Sequence, residues 1–300
     1  MTTAGTVARS EIAQPAGPAA RVKQGIRRVI PLRVRKQIAV WLGRQSWLPQ
    51  RHWWSVELVR DLARHDIAEY HRFLWANHLA YAKTYEIDQR FGSARVHPSR
   101  VLLFDETCHV LQQRGIQPSQ IDSVLEVGCS MGYLLHHLEQ FVFPNARVLD
   151  GIDVDAYAIA RGVEYLRRAG SRVQLRRADM KQLVSTAMRT YDVIFCAGVL
   201  MYVPQAEAQE VVRAMLQRCS GLLVLAGLAH PERDNRELER SEPRAADQSL
   251  IHNLDSMVKA AGGRVVQRRW DGARSLQGNT IYFVYAEPGH GLATSIPEIR

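Results

Sequence analysis

Cysteine is scarce in this 300-residue chain: there are four, at positions 108, 129, 196 and 219, with no C-x-x-C pair among them. That spacing excludes the common structural zinc frameworks and a disulfide-stapled scaffold, and it points to reduced thiols in a cytoplasmic protein. Long apolar runs are also missing. The longest, "GLLVLAGLA" from Gly221 to Ala229, falls far short of the ~20 residues that cross a bilayer and reads as a buried strand. The opening "MTTAGTVARSEIAQPAGPAA" has no continuous apolar stretch, so it does not read as a secretory signal. Acid is absent from Arg21 to Arg51, a stretch holding Arg21, Lys23, Arg27, Arg28, Arg33, Arg35, Lys36, Arg44 and Arg51. Arg9 and Glu11 cancel in the arm before it. The net charge of +9 is therefore local, and the rest of the chain is a neutral body.

What is present falls into four regions. Residues 1–20 read as a disordered arm, 21–120 as a basic, aromatic-rich helical cap, 121–288 as an α/β domain and 289–300 as a polar tail. In the cap, Pro31 suits the first position of a helix that Gly43 ends, with Val34, Ile38, Trp41 and Leu42 on one face. Val59, Ala63, Ile67, Tyr70 and Leu74 make an apolar stripe that predicts one long helix from Val56 towards Phe91. A further helix is expected around Ser99 to Arg114. After residue 120 the rhythm changes. Short apolar strands such as "SVLEVG", "RVLDGID" and "YDVIFCAG" alternate with helical stretches, which predicts a parallel sheet with helices on both faces. "RVVQRRW" and "NTIYFVYAE" have no helix between them and predict an antiparallel edge pair.

The first of these strands runs into Gly128-Cys129-Ser130-Met131-Gly132. Those letters spell G-x-S-x-G, the nucleophile elbow of hydrolases. They also describe a glycine-rich turn between strand and helix that cradles a cofactor. The elbow reading lacks an upstream HGGG-type oxyanion loop, and it would place the nucleophile after the first strand of its sheet. A dinucleotide loop would need G-x-G-x-x-G, and only Gly128 and Gly132 are present.

A third reading fits best. Glu126-Val127-Gly128-Cys129-Ser130-Met131-Gly132 resembles the first motif, E/D-x-G-x-G-x-G, of the class I S-adenosylmethionine-dependent methyltransferases, with Ser130 in place of the middle glycine. "DGIDVD" puts Asp153 where that family has an acid on the ribose hydroxyls, "RRADM" puts Asp179 where it contacts the adenine amine, and "YDVIFCAGVLMYV" resembles its fourth strand and the loop at the methionine end. The resemblance spans about residues 121 to 287. It implies a Rossmann-like methyltransferase sheet and S-adenosylmethionine as cofactor, held by Glu126, Gly128, Cys129, Ser130, Gly132, Asp153, Val154, Asp179, Met180, Cys196 and Ala197. Plainer readings stand beside these: Asp155 and Asp179 as helix N-caps, Glu126 as a buried acid, Cys129 and Cys196 as packing residues, and His136 and His137 as solvent-facing.

Methyl transfer to an alcohol calls for a general base, whereas a carboxylate or neutral amine needs little help. His230, directly after the fifth strand, is the first candidate, with Asp234, Asn235 and His252 in the same polar loop; Tyr202 follows the fourth strand. Trp75, His78 and Tyr85, with His71, lie in "EYHRFLWANHLAYAKTYEI" and are candidates to close over an acceptor, though the same pattern suits a packed helix. Cys196 and Leu228 end the fourth and fifth strands where a metal site would want acids, so no metal is expected. The expected activity is methyl transfer, at oxygen, to a small-molecule or lipid- or glycan-linked acceptor. The alternatives are an RNA methyltransferase that uses the basic segment, or a nonenzymatic cofactor-binding protein. Residues 21–51 suit a peripheral contact at the inner membrane face better than nucleic acid, because their apolar face is well formed.

Overall fold

Alternate residues of a strand face opposite sides of its sheet, and the buried side chains after residue 120 sort in that way. The computed structural model describes residues 30–45, 47–80, 96, 98–185, 189–244, 247–271 and 281–289. The strands are β1 (Ser123–Val127), β2 (Val148–Asp153), β3 (Gln174–Arg177), β4 (Tyr191–Ala197), β5 (Cys219–Leu228), β6 (Glu242–Pro243), β7 (Leu250–Ile251), β8 (Gly263–Asp271) and β9 (Ile281–Pro288). Seven of them form one sheet in the order β3-β2-β1-β4-β5-β9-β8. Its first five strands run parallel; β9 is antiparallel to both β5 and β8. The expected parallel sheet and antiparallel edge pair are both present.

Helix α1 (Leu32–Gly43) and helix α2 (Arg51–Val59) belong to one compact unit, which ends at Val59. The second unit starts at Arg60 and holds α3 (Leu62–His65), α4 (Ile67–Ala76), α5 (Pro98–Gln113), α6 (Tyr133–His137), α7 (Ala156–Arg168), α8 (Gln182–Ser185), α9 (Gln205–Gln217), α10 (Leu254–Ala260) and the whole sheet. So α4 and α5 belong with the sheet, not with the tryptophan-rich segment. The long helix expected from Val56 is broken. Asp66 is extended (φ −149°) and its carboxylate accepts from the backbone N–H of Glu69, which starts α4 afresh. Asp66-Ile67-Ala68-Glu69 is the D-x-x-E start signal, overlooked beneath the apolar stripe. The part of that expectation beyond residue 80 falls outside the described residues.

Two apolar layers cover the sheet. On one face Leu125, Val127, Ile194, Leu223 and Val284 pack with Val211, Met215 and Leu216 of α9 and Met257 of α10. On the other, Val124, Val193, Phe195, Val224 and Phe283 pack with Leu103, Phe104 and Leu111 of α5, Leu135 of α6 and Ile159 of α7. His136 and His137 are not simply solvent-facing: His136 pairs with Glu139 at 3.1 Å, and the His137 ring stacks on Phe104 at 5.6 Å.

Helix α7 touches the loop after β1 at Gly162, where an added Cβ would lie 2.4 Å from the carbonyl oxygen of Met131. Alanine favours helices over glycine by about 1 kcal/mol, but here the clash is with backbone. We expect Gly162→Ala to destabilise the protein by about 2 kcal/mol net, measured by urea denaturation.

Candidate functional site

Open α/β sheets bind ligands beyond the carboxyl ends of their strands, where the strand order reverses. Here that point lies between β1 and β4, because the chain goes from β1 outward through β2 and β3 and then returns to β4. The register brings the right residues together. Val127 pairs with Ile152 on one side and with Cys196 on the other, so Gly128, Asp153 and Ala197 emerge side by side. Asp153 pairs with Arg177, which brings Asp179 just beyond the next tip. Gly128, Ser130, Asp153, Val154, Asp179, Met180, Ala197 and Gly198 are half-buried, a partly open row just beyond the strand ends.

The loop after β1 turns by placing Gly128 (φ 77°), Ser130 (φ 53°) and Gly132 (φ 74°) in the left-handed region. Asp153 fixes that loop: its carboxylate accepts from the N–H of Ser130 at 2.7 Å and from the N–H of Asp155 at 2.8 Å. Burial pushes the Asp153 carboxyl up and these backbone donors oppose the shift. The backbone of Val154 contributes a further hydrogen bond, and a carboxylate with about four lone-pair sites keeps acceptor capacity for a diol. Asp155 is the N-cap of α7, accepting from Tyr157 and Ala158. Asp179 accepts from the N–H of Lys181 at 3.0 Å. The side chains of Cys129 and Cys196 are buried with burial-raised thiol pKa values, Cys196 up to about 12, so only their backbones can face a ligand.

Glu126 lies beneath the loop and is buried. Burial drives its carboxyl from 4.5 up to about 8, against the pull of the Arg100 guanidinium and with a further push from Asp153. Its Oε2 has no hydrogen-bond partner among the described residues, nor has Nη1 of Arg100. Arg100 reaches in from α5 and donates through Nη2 to the carbonyl of Ala197 at 3.2 Å. A buried acceptor and a buried cationic donor, both unmatched at one tip, fit a ligand that carries ammonium and carboxylate groups, which is the methionine end of S-adenosylmethionine. Arg100 was not found from the sequence: one arginine in "PSRVLLF" carries no local signal.

Helix α4 and the residues after it reach the ends of β2, β3 and β4 and the loop around Gln248. His71 Nε2 lies 3.0 Å from the carbonyl of Gln248, and Arg72 lies 3.7 Å from Asp179 and 3.4 Å from Glu207. The Trp75 ring is 4.8 Å and the His71 ring 5.1 Å from the ring of Tyr202. His78 Nδ1 lies 2.5 Å from Asp155 Oδ2, and its ring lies 4.5 Å from that of Tyr157. Thus Trp75, His78 and Tyr202 converge on this face, while Tyr85 falls outside the described residues.

The loop after β5 is ordered by its own polar side chains. His230 Nδ1 accepts from the N–H groups of Glu232 and Arg233 at 3.1 Å, and Nε2 faces Glu242 at 3.4 Å. Both nitrogens are engaged, which leaves none to take a substrate proton. Asp234 caps a 3-10 turn and pairs with Arg236, whose guanidinium holds its carboxyl low. Buried Asn235 donates to the carbonyls of Leu228 and His252. His252 is buried, with Nε2 2.8 Å from the Leu200 carbonyl and Nδ1 on Ser241. The β6–β7 hairpin inside this loop, too short to leave a pattern, also escaped the sequence reading.

Residues 124–220 match a family model described as a methyltransferase domain. No curated protein sequence matches the chain. Solved structures share the fold. An S-adenosylmethionine-dependent methyltransferase from Clostridium acetobutylicum aligns at 12% identity and TM-score 0.51, covering 70% of this chain and 99% of its own. Magnesium protoporphyrin IX methyltransferase from Synechocystis, with bound cofactor, aligns at 16% identity and TM-score 0.51, covering 75% and 98%. A methyltransferase from Leishmania major aligns at 14% identity and TM-score 0.51, covering 74% and 82%. The strand order and these likenesses define a Rossmann-like fold of the class I methyltransferase type. Residues 124–220 thus match a methyltransferase domain model, within a fold shared with S-adenosylmethionine-dependent methyltransferases of known structure.

The raised Glu126 carboxyl makes a stability prediction. Between pH 4.5 and about 8 the folded, cofactor-free protein holds a proton here that the unfolded chain has lost. This group therefore lowers stability progressively as pH rises through that window. Glu126→Gln should stabilise the cofactor-free protein at pH 8 by a few kcal/mol and change it little at pH 4.5. Urea denaturation of both proteins at the two pH values measures the difference.

Proposed function

We propose that this domain transfers a methyl group to an oxygen of a small-molecule or lipid- or glycan-linked acceptor. The observation that carries the reading is the crevice at the tips of β1, β2, β3 and β4, with α4 reaching across it. In this reading Asp153 takes the ribose diol, Val154, Asp179 and Met180 take the adenine, and the backbone of Gly128, Cys129, Ser130 and Gly132 approaches the cofactor closely. Glu126 receives the ammonium and Arg100 the carboxylate of the methionine end, with the Cys196–Ala197 backbone alongside. When bound, S-adenosylmethionine supplies an electrophilic methyl on a sulfonium.

What remains for the chain is alignment, exclusion of water and handling of a proton. Helix α4 supplies the exclusion. Trp75 and Tyr202 offer aromatic surface to the acceptor, and His78 positions the Asp155 turn. An alcohol must lose its proton as it attacks. His71 suits this role better than His230. Gln248 O can only accept, so His71 Nε2 carries hydrogen and Nδ1 keeps a lone pair. Burial lowers the pKa of His71, which keeps the ring neutral at pH 7. A lipid-linked acceptor at the inner membrane face of the cytoplasm would match the basic N-terminal segment.

S-adenosylhomocysteine should bind the cofactor-free protein, and Asp153→Ala should weaken that binding by about tenfold or more, since hydrogen bonds to a charged group contribute about 1.5–3 kcal/mol. Calorimetry measures both; no heat from folded protein would overturn the reading. At pH 7 the same titration in buffers of differing ionisation enthalpy should report release of about one proton, as the ligand ammonium draws Glu126 into its ionised form. Glu126→Gln should abolish that release. For the base, mass spectrometry of extracts treated with labelled cofactor identifies an acceptor, and His71→Asn should then lower kcat about 100-fold with KM little changed.

A further inference from the structure

Four of the six tryptophans lie between residues 41 and 54. All four are exposed: Trp41 by 57%, Trp47 by 71%, Trp53 by 42% and Trp54 by 47%. The hairpin explains where they gather. Arg35, early in α1, donates to the Leu58 carbonyl near the end of α2 at 2.8 Å, so the two helices are antiparallel and this is the open end. Trp41 lies in the last turn of α1, Trp47 in the link, and Trp53 and Trp54 in the first turn of α2, which puts every one at the closed end. The Trp47 indole is steadied by Gln45 at 3.2 Å, and the Trp53 and Trp54 rings meet edge to face at 4.7 Å. Val34 and Ile38 continue the apolar strip of Trp41 along α1.

The charge of this segment has one sign. Arg44 and Arg51 flank the link, and no acid occurs from Ile12 to Val56. Glu57, the first acid after that stretch, is buried. Indole rings favour the headgroup level of a bilayer, and arginine beside them favours anionic lipid. No helix among the described residues is long and apolar enough to cross a membrane, so the mode of contact is to lie on its surface. Single-stranded RNA would want a basic groove with rings along it, whereas these rings gather at the closed end of two helices.

We propose that the closed end of the α1–α2 hairpin is a docking surface for an anionic lipid bilayer, with Trp41, Trp47, Trp53 and Trp54 seated at headgroup level and Arg44 and Arg51 on the lipid phosphates. This inference stands independently of methyl transfer. The full chain should float with phosphatidylcholine vesicles containing roughly 30 mol% phosphatidylglycerol, and not with phosphatidylcholine alone. High salt should weaken the binding. The combined Trp41→Ser, Trp47→Ser and Trp53→Ser variant should lose about tenfold or more in vesicle partitioning with an unchanged thermal melt. Should that variant fail to fold, wild-type fluorescence with brominated phosphatidylglycerol decides the matter: quenching supports the proposal, and its absence overturns it. Flotation undiminished in the folded variant, no flotation at all, or tighter binding to an RNA oligonucleotide than to anionic vesicles would each overturn it.

Discussion

The carboxylate of Asp153 holds the site together. It is the last residue of β2, and it reaches sideways to the N–H of Ser130 in the loop after β1 and forward to the N–H of Asp155 in its own loop. Two turns from two strands thus share one anion. It adds to the backbone bonds that already hold the loop, from the N–H groups of Gly128 and Cys129 to the carbonyl of Ile152. Ser130 shows the strength of the constraint: a non-glycine residue costs about 1–2 kcal/mol in the left-handed region, yet it sits there at φ 53°. Its small polar side chain keeps the cost low, and the charged acceptor of its own N–H offsets part of it. The same carboxylate keeps lone pairs for a diol, so one residue both shapes the loop and remains able to bind.

Glu126 and Arg100 show the opposite arrangement. Their unmatched atoms add nothing to the fold and cost free energy in the absence of ligand. A core tuned for stability alone would carry a glutamine or an apolar residue at position 126. The acid is buried beside a guanidinium whose attraction falls short of the desolvation penalty. A cationic ligand group would supply the missing attraction. In the proposed reading, binding and ionisation would then be one event.

Much of this was legible in the sequence because it is local. The motif from Glu126 to Gly132, the acids at the strand ends and the strand–helix rhythm all lie within short windows, and the register of a parallel sheet brings such windows together without further information. The antiparallel pair was legible from a missing helix. Contacts across long separations were not. Arg100 meets Ala197, Arg72 meets Asp179 and Glu207, and His71 meets Gln248 across 177 positions. No pattern near any of these residues announces its partner. His230 misled for a related reason. Its place after the fifth strand suits a base, but its nitrogens are spent on the turn that begins there. The break at Asp66 was local and still overlooked, because a continuous apolar stripe hid the capping signal.

Helix α4 joins these themes. It is amphipathic, but its inner face is not simply apolar: beside Tyr70 and Leu74 it buries His71, and Arg72 and Trp75 are half-buried. A helix required only to cover a core would be expected to carry leucine or alanine at such positions. Polar and aromatic groups accept a higher burial cost in return for directional contacts, here with the ends of β3 and β4 and the loop around Gln248, while His78 just beyond the helix reaches the end of β2. Directional contacts to several loops fix a roof relative to a crevice in a way that greasy packing does not. They are also individually weak and partly exposed, as with the Arg72 pairs, whose worth in water is about 1 kcal/mol or less. The inner face of α4 is therefore tied to the strand ends by directional contacts, whereas the layers beneath are held by apolar packing.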